Sequence, residues 1–362
     1  MAFQVPKSSF ESFLSQLNVV PELITIYNTV KQFVTGKIDE CGLELFGYPH
    51  EEPVLWAVLK KPKYSMNVLL MQAVLCQDQV LKLGVEAIFN FIKGDLRGMD
   101  KVLLVAGDKI LENVNIKMKK FATHPLMTDN NPCCLFYMDE NQSDRLLKEE
   151  LVAPEGFSFV DLDPKRDAEI VSNAVQENVD QTKERLRKMP SVGVRCKESG
   201  QIVAFELCSG IGLITHHFTF PEFRRQGLGR LVELRLCQKV IQKLGIVPVK
   251  QVSRKSPEVI NMSKRSLFWT VYKEADGSDR LGYYRIYNIS RSIDSLKSIL
   301  RPLLWSKRRG YKMLSLFTRT FPDNAYQKLV LSQKSLTKEY TYNLFALKSN
   351  FISICSLPRN TM

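Results

Sequence analysis

The residues with the plainest chemical potential in this chain are Pro221-Glu222-Phe223-Arg224-Arg225-Gln226-Gly227-Leu228-Gly229-Arg230. They lie between an apolar run ending in Phe218-Thr219-Phe220 and a long amphipathic stretch that begins at Leu228. Two glycines allow a sharp turn and a close backbone approach to a ligand. The helix behind them presents unpaired N–H groups and the positive end of its dipole, a combination suited to a phosphate anion. Arg224, Arg225 and Arg230 add positive charge around the same loop. The pattern predicts a pyrophosphate held without a P-loop lysine, and so a nucleotide-bearing cofactor. A G-x-x-x-x-G-K-[ST] loop is absent. The dinucleotide fingerprint G-x-G-x-x-G fails as well, because Val232 stands at its third glycine.

The elements that must position this loop can be read from periodicity. Three antiparallel strands are expected at 192–196, 202–208 and 213–220, joined by Glu198-Ser199-Gly200 and Ser209-Gly210-Ile211-Gly212. A helix over 228–244 follows, then a strand at 247–252 and a helix at 257–267. Strands at 268–272 and 283–287 should close the sheet around Ala275-Asp276-Gly277. A strand at 157–162 and helices near 165–176 and 180–189 precede the antiparallel set. The first part alternates too: helices at 8–18, 80–91, 113–121 and 142–151, and strands at 22–34, 54–59, 68–73, 102–106 and 133–138. The Ala153-Pro154-Glu155-Gly156 turn signal separates the two parts.

With strand, loop and helix in that order, Arg224-x-x-Gly227-x-Gly229 resembles the acetyl-CoA-binding signature of the GCN5-related N-acyltransferase (GNAT) superfamily. Within it, the run from Arg185-Leu186-Arg187-Lys188-Met189-Pro190-Ser191 through Ala204-Phe205-Glu206-Leu207 to Phe220-Pro221-Glu222-Phe223-Arg224 is similar to the glycine N-acyltransferases. Pro21-Glu22-Leu23-Ile24-Thr25-Ile26-Tyr27-Asn28-Thr29-Val30 resembles the start of that family's N-terminal domain. The resemblance implies an α/β fold with a mixed sheet: a GNAT acyl-CoA-binding domain over 154–290, preceded by a mixed α/β domain over 1–153. A basic tail over 291–362 lies beyond it.

What the resemblance implies about function is acyl-CoA-dependent transfer to an amine, glycine or another small amino acid, with acyl-CoA or acetyl-CoA as co-substrate and no metal. It implies cofactor contacts from Phe218, Phe220, Arg224, Arg225, Gln226, Gly227, Leu228, Gly229, Arg230 and Ser256. The chain departs from the family at Leu213, eleven positions before Arg224, where glycine N-acyltransferases carry a glutamate thought to be the base. Leucine cannot accept a proton. Strict alternation along the strand puts Leu213, Thr215 and His217 on one face and His216 on the other, so His217 is one candidate base; Glu206 on the preceding strand, acting through water, is the alternative. Tyr272 is a weaker candidate for protonating the leaving thiolate. Two rivals remain open: an acetyltransferase for another amine, and a catalytically silent acyl-CoA-binding protein.

At 362 residues, two domains are the natural expectation. No apolar run reaches eighteen residues, so no transmembrane helix is expected. Eight cysteines without a C-x-x-C, mostly inside apolar runs, point to a reducing compartment. Four histidines with no cysteine at ligand spacing offer no metal motif. The net charge of +13 is concentrated in the tail, where thirteen Lys/Arg face three acidic residues. The rest is close to neutral, which argues against nucleic acid as a partner and suits a small zwitterionic acceptor. The tail reads either as a solvated extension or as a surface for membrane association. The family is typically mitochondrial, whereas Met1–Asn18 is poor in arginine and lacks a secretory core, so mitochondrion or cytosol is expected and secretion is not.

Overall fold

In the computed structural model the described residues are 1–37, 42–63, 65–119, 122–126 and 132–289. The basic tail lies outside them. The first part runs β1 (Phe3–Val5), α1 (Phe10–Leu17), α2 (Ile24–Val34), β2 (Gly42–Tyr48), β3 (Leu55–Lys61), β4 (Asn67–Ala73), α3 (Asp78–Arg97), β5 (Lys101–Gly107), α4 (Asp108–Met118), β6 (Ala122–Leu126), β7 (Cys133–Tyr137) and α5 (Glu140–Lys148). After it come β8 (Phe157–Val160), α6 (Ala168–Val175), α7 (Val179–Lys188), β9 (Ser191–Cys196), β10 (Ile202–Cys208), β11 (Ile214–Thr219), α8 (Leu228–Leu244), β12 (Val249–Ser253), α9 (Pro257–Arg265), β13 (Thr270–Val271) and β14 (Leu281–Ile289). Mixed pairing and helices on both faces make this the α/β class expected.

Most elements lie where periodicity put them, with one reversal. The strand expected over 22–34 is the helix α2. Its β-branched residues mimic a strand, but Ile26 and Val30 are also one helical turn apart, and tertiary contacts decide. The Gln72 side chain on β4 accepts the first-turn N–H groups of Thr25 and Ile26 at 3.1 and 2.9 Å. These donors have no partner within a helix, so a cap from a neighbouring strand favours the helical state.

The two parts repeat one design. In each, a short strand and two helices lead into a three-strand antiparallel meander, a crossover helix and a strand parallel to the third: β2-β3-β4-α3-β5, then β9-β10-β11-α8-β12. The last strands are exchanged. β14 pairs antiparallel with β5 over seven positions, from Gly282 opposite Gly107 to Asn288 opposite Lys101. β7 pairs with β12 over five, from Val249 opposite Tyr137 to Ser253 opposite Cys133. β14 and β7 meet at Leu281–Cys134 and Gly282–Cys133. The main path is therefore palindromic, β1-β2-β3-β4-β5-β14-β7-β12-β11-β10-β9-β8, and continuous past the Ala153–Gly156 turn. The expected turn at Gly277 has φ +81°. However, β13 and β14 find their main partners in β7 and β5, a pairing that local patterns cannot reveal.

The copies differ where a ligand would enter. β4 and β5 pair at five consecutive positions, from Asn67–Val102 to Met71–Ala106. β11 and β12 pair at one, Ile214–Lys250, and then part. Helix α2 closes the amino end of this parting. Asn28 donates through Nδ2 to the carbonyls of Gly212 (3.3 Å) and Val247 (2.8 Å) and accepts the Val247 N–H at 3.1 Å. A methyl group on Gly212 would lie 2.5 Å from Asn28 Cβ, so glycine is needed for this approach. Because Asn28 is wholly buried, Asn28→Ala leaves two carbonyls and an N–H without their partner. We expect a loss of about 1–3 kcal/mol in stability, measured by urea unfolding; an unchanged midpoint would contradict the clasp. A fragment starting at residue 154 lacks β7 and exposes β12 as a bare edge. It should not unfold cooperatively as a monomer, by circular dichroism and sedimentation.

Candidate active site

β11 and β12 part toward their carboxyl ends, the edge at which open α/β sheets place their ligands. On one bank, Pro221–Phe223 form a single 3-10 turn and the chain reverses through Arg225 (φ +64°) and Gly227 (φ +77°). Helix α8 starts after Gly227 with no side-chain cap and no acidic residue in its first turn. Arg224, Arg225, Gln226, Gly227 and Arg230 are exposed, and Leu228 is buried beneath them. Arg224 is steadied by its Nε–H bond to the Thr219 carbonyl at 2.9 Å. The loop thus presents open N–H groups and guanidinium charge, as the sequence implied. The first copy does not: Val74-Leu75-Cys76-Gln77 contains neither glycine nor arginine, and Asp78 occupies the first turn of α3. On the other bank, Ser256 precedes α9 and makes no capping bond with its side chain.

Gly229 has a different role from Gly227. A methyl group there would stand 2.6 Å from His217 Nε2 and 3.2 Å from Thr219 Oγ1. Its small size lets α8 sit directly on β11. Phe218 stacks on Phe205 with centroids 5.6 Å apart, and Phe220 meets Phe218 edge-on at 5.0 Å. Both side chains pack in the cluster under α6 and α7, so their contribution to the cleft is backbone.

A β-bulge in β11 corrects the expected alternation. Phe205 pairs with Phe218 and Leu207 with Thr215, leaving His216 and His217 together opposite Glu206. His216 has φ +58°, a left-handed conformation that costs a non-glycine residue on the order of 1–3 kcal/mol. Thr215 therefore faces the α6–α7 side with Leu207, while His217 joins Glu206 beneath α8. Strict alternation had put Thr215 and His217 together; the extra residue separates them. His216 remains on the other side, as expected.

The structure brings His217 and Glu206 into contact, Nδ1 to Oε1 at 3.4 Å. Beside them Glu233 is paired with Lys250 and accepts the Trp269 indole N–H at 3.0 Å, and the Lys250 ammonium lies 4.3 Å from the Trp269 ring. Burial alone would lower the His217 pKa, but the Glu206 carboxyl at its Nδ1, with Glu233 behind, outweighs it and lifts it to about 9. Burial pushes Glu206 up, only partly offset by His217. For Glu233, burial is overcome by Lys250, His217 and the Trp269 N–H, which hold it below the usual carboxylate range. Ligand atoms of Glu206, His217 and Glu233 lie within 4.8 Å of one another. Glu233, however, already engages Lys250 and Trp269, and that neighbouring ammonium opposes a second cation.

Leu213, at the position where the resemblance places a base, is buried. Tyr272 lies elsewhere. It lines a cavity of about 40 Å³ with Gln72, Ala106, Gly107, Gln251 and Arg280, and no residue of β11 or α8 lines that cavity. Burial pushes its hydroxyl up to about 12 although Arg280 pairs with it. Sequence reasoning missed a second cluster: His216 Nε2 is 3.2 Å from Glu177 Oε1, which also accepts from Arg185 Nη2 at 2.9 Å. The adjacent histidines were its one visible signal, and only the bulge shows that they serve opposite faces.

The sequence matches no protein-family model and no curated protein. Among solved structures, the chain is similar to a Drosophila protein, with a TM-score of 0.60 at 12% identity, covering 80% of this chain and 99% of that one. The likeness is one of fold. A tandem GNAT protein from the clavulanic acid biosynthesis pathway (TM-score 0.45, 14% identity, 81% of this chain and 100% of that one) also matches. So does a GCN5-related N-acetyltransferase from Sphaerobacter thermophilus (0.44, 11%, 80% and 95%). These two likenesses are too loose to carry an argument.

His217, raised from its ordinary 6.5 to about 9, keeps its proton at neutral pH. Its stabilising charge is fully present below pH 6.5 and is lost as the pH rises toward 9. An NMR titration of the imidazole should show a midpoint near 9, and a stability loss between pH 7 and 10 that is absent in His217→Gln. A midpoint at or below 6.5 would contradict the pairing with Glu206.

Proposed function

We propose that this chain is an acyl-CoA-dependent N-acyltransferase of the GNAT type, transferring an acyl group to glycine or another small amino acid. The observation that carries the reading is the parting of β11 from β12 beside an uncapped, arginine-bearing helix N-terminus. A thioester arm fits between two strands that have stopped pairing, where free backbone groups can hydrogen-bond to its amides. Its pyrophosphate falls on the N–H groups of α8 and on Arg224, Arg225 and Arg230, in charge-assisted bonds. The amine attacks the thioester carbonyl directly, and a β11 backbone N–H polarises that carbonyl. The zwitterionic acceptor is supported by the near-neutral charge of the chain before its tail and by the sequence resemblance.

A second reading, acyl-CoA binding without turnover, is favoured by the buried Leu213 at the position of the family's base. One experiment separates them: CoA release from acetyl-CoA and benzoyl-CoA with a panel of amines including glycine, beside calorimetric CoA binding. We expect binding together with glycine-dependent release. Arg224→Glu/Arg230→Glu should weaken CoA binding by about tenfold or more, the scale of one lost charge-assisted bond. Binding without release on any amine would favour the silent reading, and binding indifferent to the arginines would remove both.

A further inference from the structure

We propose that His216, oriented by Glu177 and Arg185, accepts the proton of the attacking amine on the face of the sheet opposite α8. This assignment rests on the transferase reading and deepens it. The bulge gives each face one imidazole backed by one carboxylate: His217 with Glu206 under α8, and His216 with Glu177 at the α6–α7 junction. The α8 face is the more crowded, though His217 keeps a third of its side chain exposed. His217 has Nδ1 against Glu206 and Nε2 against Gly229, while Glu233, Lys250 and Trp269 fill the space beside it. A quarter of the His216 side chain and a third of the His217 side chain are exposed, so both imidazoles reach solvent and what distinguishes them is their backing.

The His216 cluster also has hydrogen-bonding capacity to spare. Glu177 Oε2, Arg185 Nη1 and Thr182 Oγ1 are buried and find no hydrogen-bond partner among the described residues. Thr182 lies three residues before Arg185, on the same side of α7. The His217 pair has one such atom, Glu206 Oε2; a cluster serving only to tie α7 to β11 has no use for three, each of which costs stability. A polar substrate group or an ordered water matches them. The left-handed backbone at His216 points the same way, since strain of this kind concentrates at functional sites.

The proton balance is simple. Nε2–H of His216 donates to Glu177 Oε1, which leaves Nδ1 with a free lone pair. The acceptor's ammonium first gives one proton to solvent; the free amine nitrogen then forms the C–N bond to the thioester carbonyl carbon, and its next proton passes to Nδ1. The C–S bond then breaks, the sulfur leaves with the electron pair, and the thiolate takes that proton back from His216 directly or through water. Glu177 remains a carboxylate: burial raises its pKa, but His216 and Arg185 outweigh it and hold it below the usual range. Arg185 shares Glu177 with His216, and the His217–Glu206 pair lies across the sheet.

The test uses the full chain with acetyl-CoA and the same amines. His216→Asn and His216→Gly both accept a left-handed backbone, so the bulge survives without an imidazole. Turnover should fall by about 10²–10⁴, the usual share of a general base, with the affinity for acetyl-CoA unchanged. The acid limb of the pH–rate profile should disappear, and Glu177→Gln should shift that limb. His216 variants that keep the wild-type rate and acid limb would overturn the assignment while leaving the transferase reading intact. So would a loss confined to His217→Gln, or a fall in acetyl-CoA affinity equal to the fall in rate. A wild-type chain that binds CoA and acylates no amine would overturn both.

Discussion

A single ladder position, Ile214 opposite Lys250, joins the two strands that frame the cleft. Everything proposed for the site depends on those strands meeting once and then separating. Parallel strands with free edges ordinarily go on pairing, because each further position satisfies backbone groups that otherwise need water. Here the amino ends are fastened by Asn28, from a helix that belongs to the other copy of the fold. The buried Glu233–Lys250–Trp269 contacts occupy the closed end. Ionising two groups at that depth is costly unless each has a partner, and Lys250 and Glu233 supply one another's.

The same topology appears twice with opposite outcomes. In the first copy the equivalent strands stay paired over five positions, the connection carries no glycine, and an acidic side chain starts the helix. That copy acts as scaffold: it supplies α2 to fasten the cleft and β7 to border β12. The second copy returns β14 to border β5. Each half thus lacks a strand that only the other provides. The exchange buries two edges that would otherwise be open to pairing with other chains, and it makes the cleft a property of the whole sheet.

The bulge divides the electrostatics of the site. One extra residue in β11 separates two adjacent imidazoles into different environments. His217 is drawn toward its charged form by two carboxyl groups, while His216 shares one carboxylate with a guanidinium. Neighbouring residues of one type can therefore have unlike roles, as environment sets proton affinity more than identity does.

The glycine–arginine loop was legible in the sequence because a strand, two glycines, three arginines and a helix are consecutive, and consecutive residues need no tertiary information to be read together. The meander before it and most helices were legible for the same reason. Glu206 and His217 were named as alternative bases, and the structure puts them in contact with one another. What the sequence could not contain was the exchange of β7 and β14, the helical state of 24–34 and the bulge at His216. The exchange and the helix are decided by hydrogen bonds between residues far apart in the chain, β14 to β5 and Gln72 to α2, and the bulge by the pairing of β11 with β10. Local preference at those positions was weak or pointed elsewhere, as β-branched Ile24-Thr25-Ile26 shows. The sequence determined which chemistry was available. The tertiary structure decided which strands part, which face each histidine takes and which glycine packs against β11, because those depend on pairings formed only when the whole sheet closes.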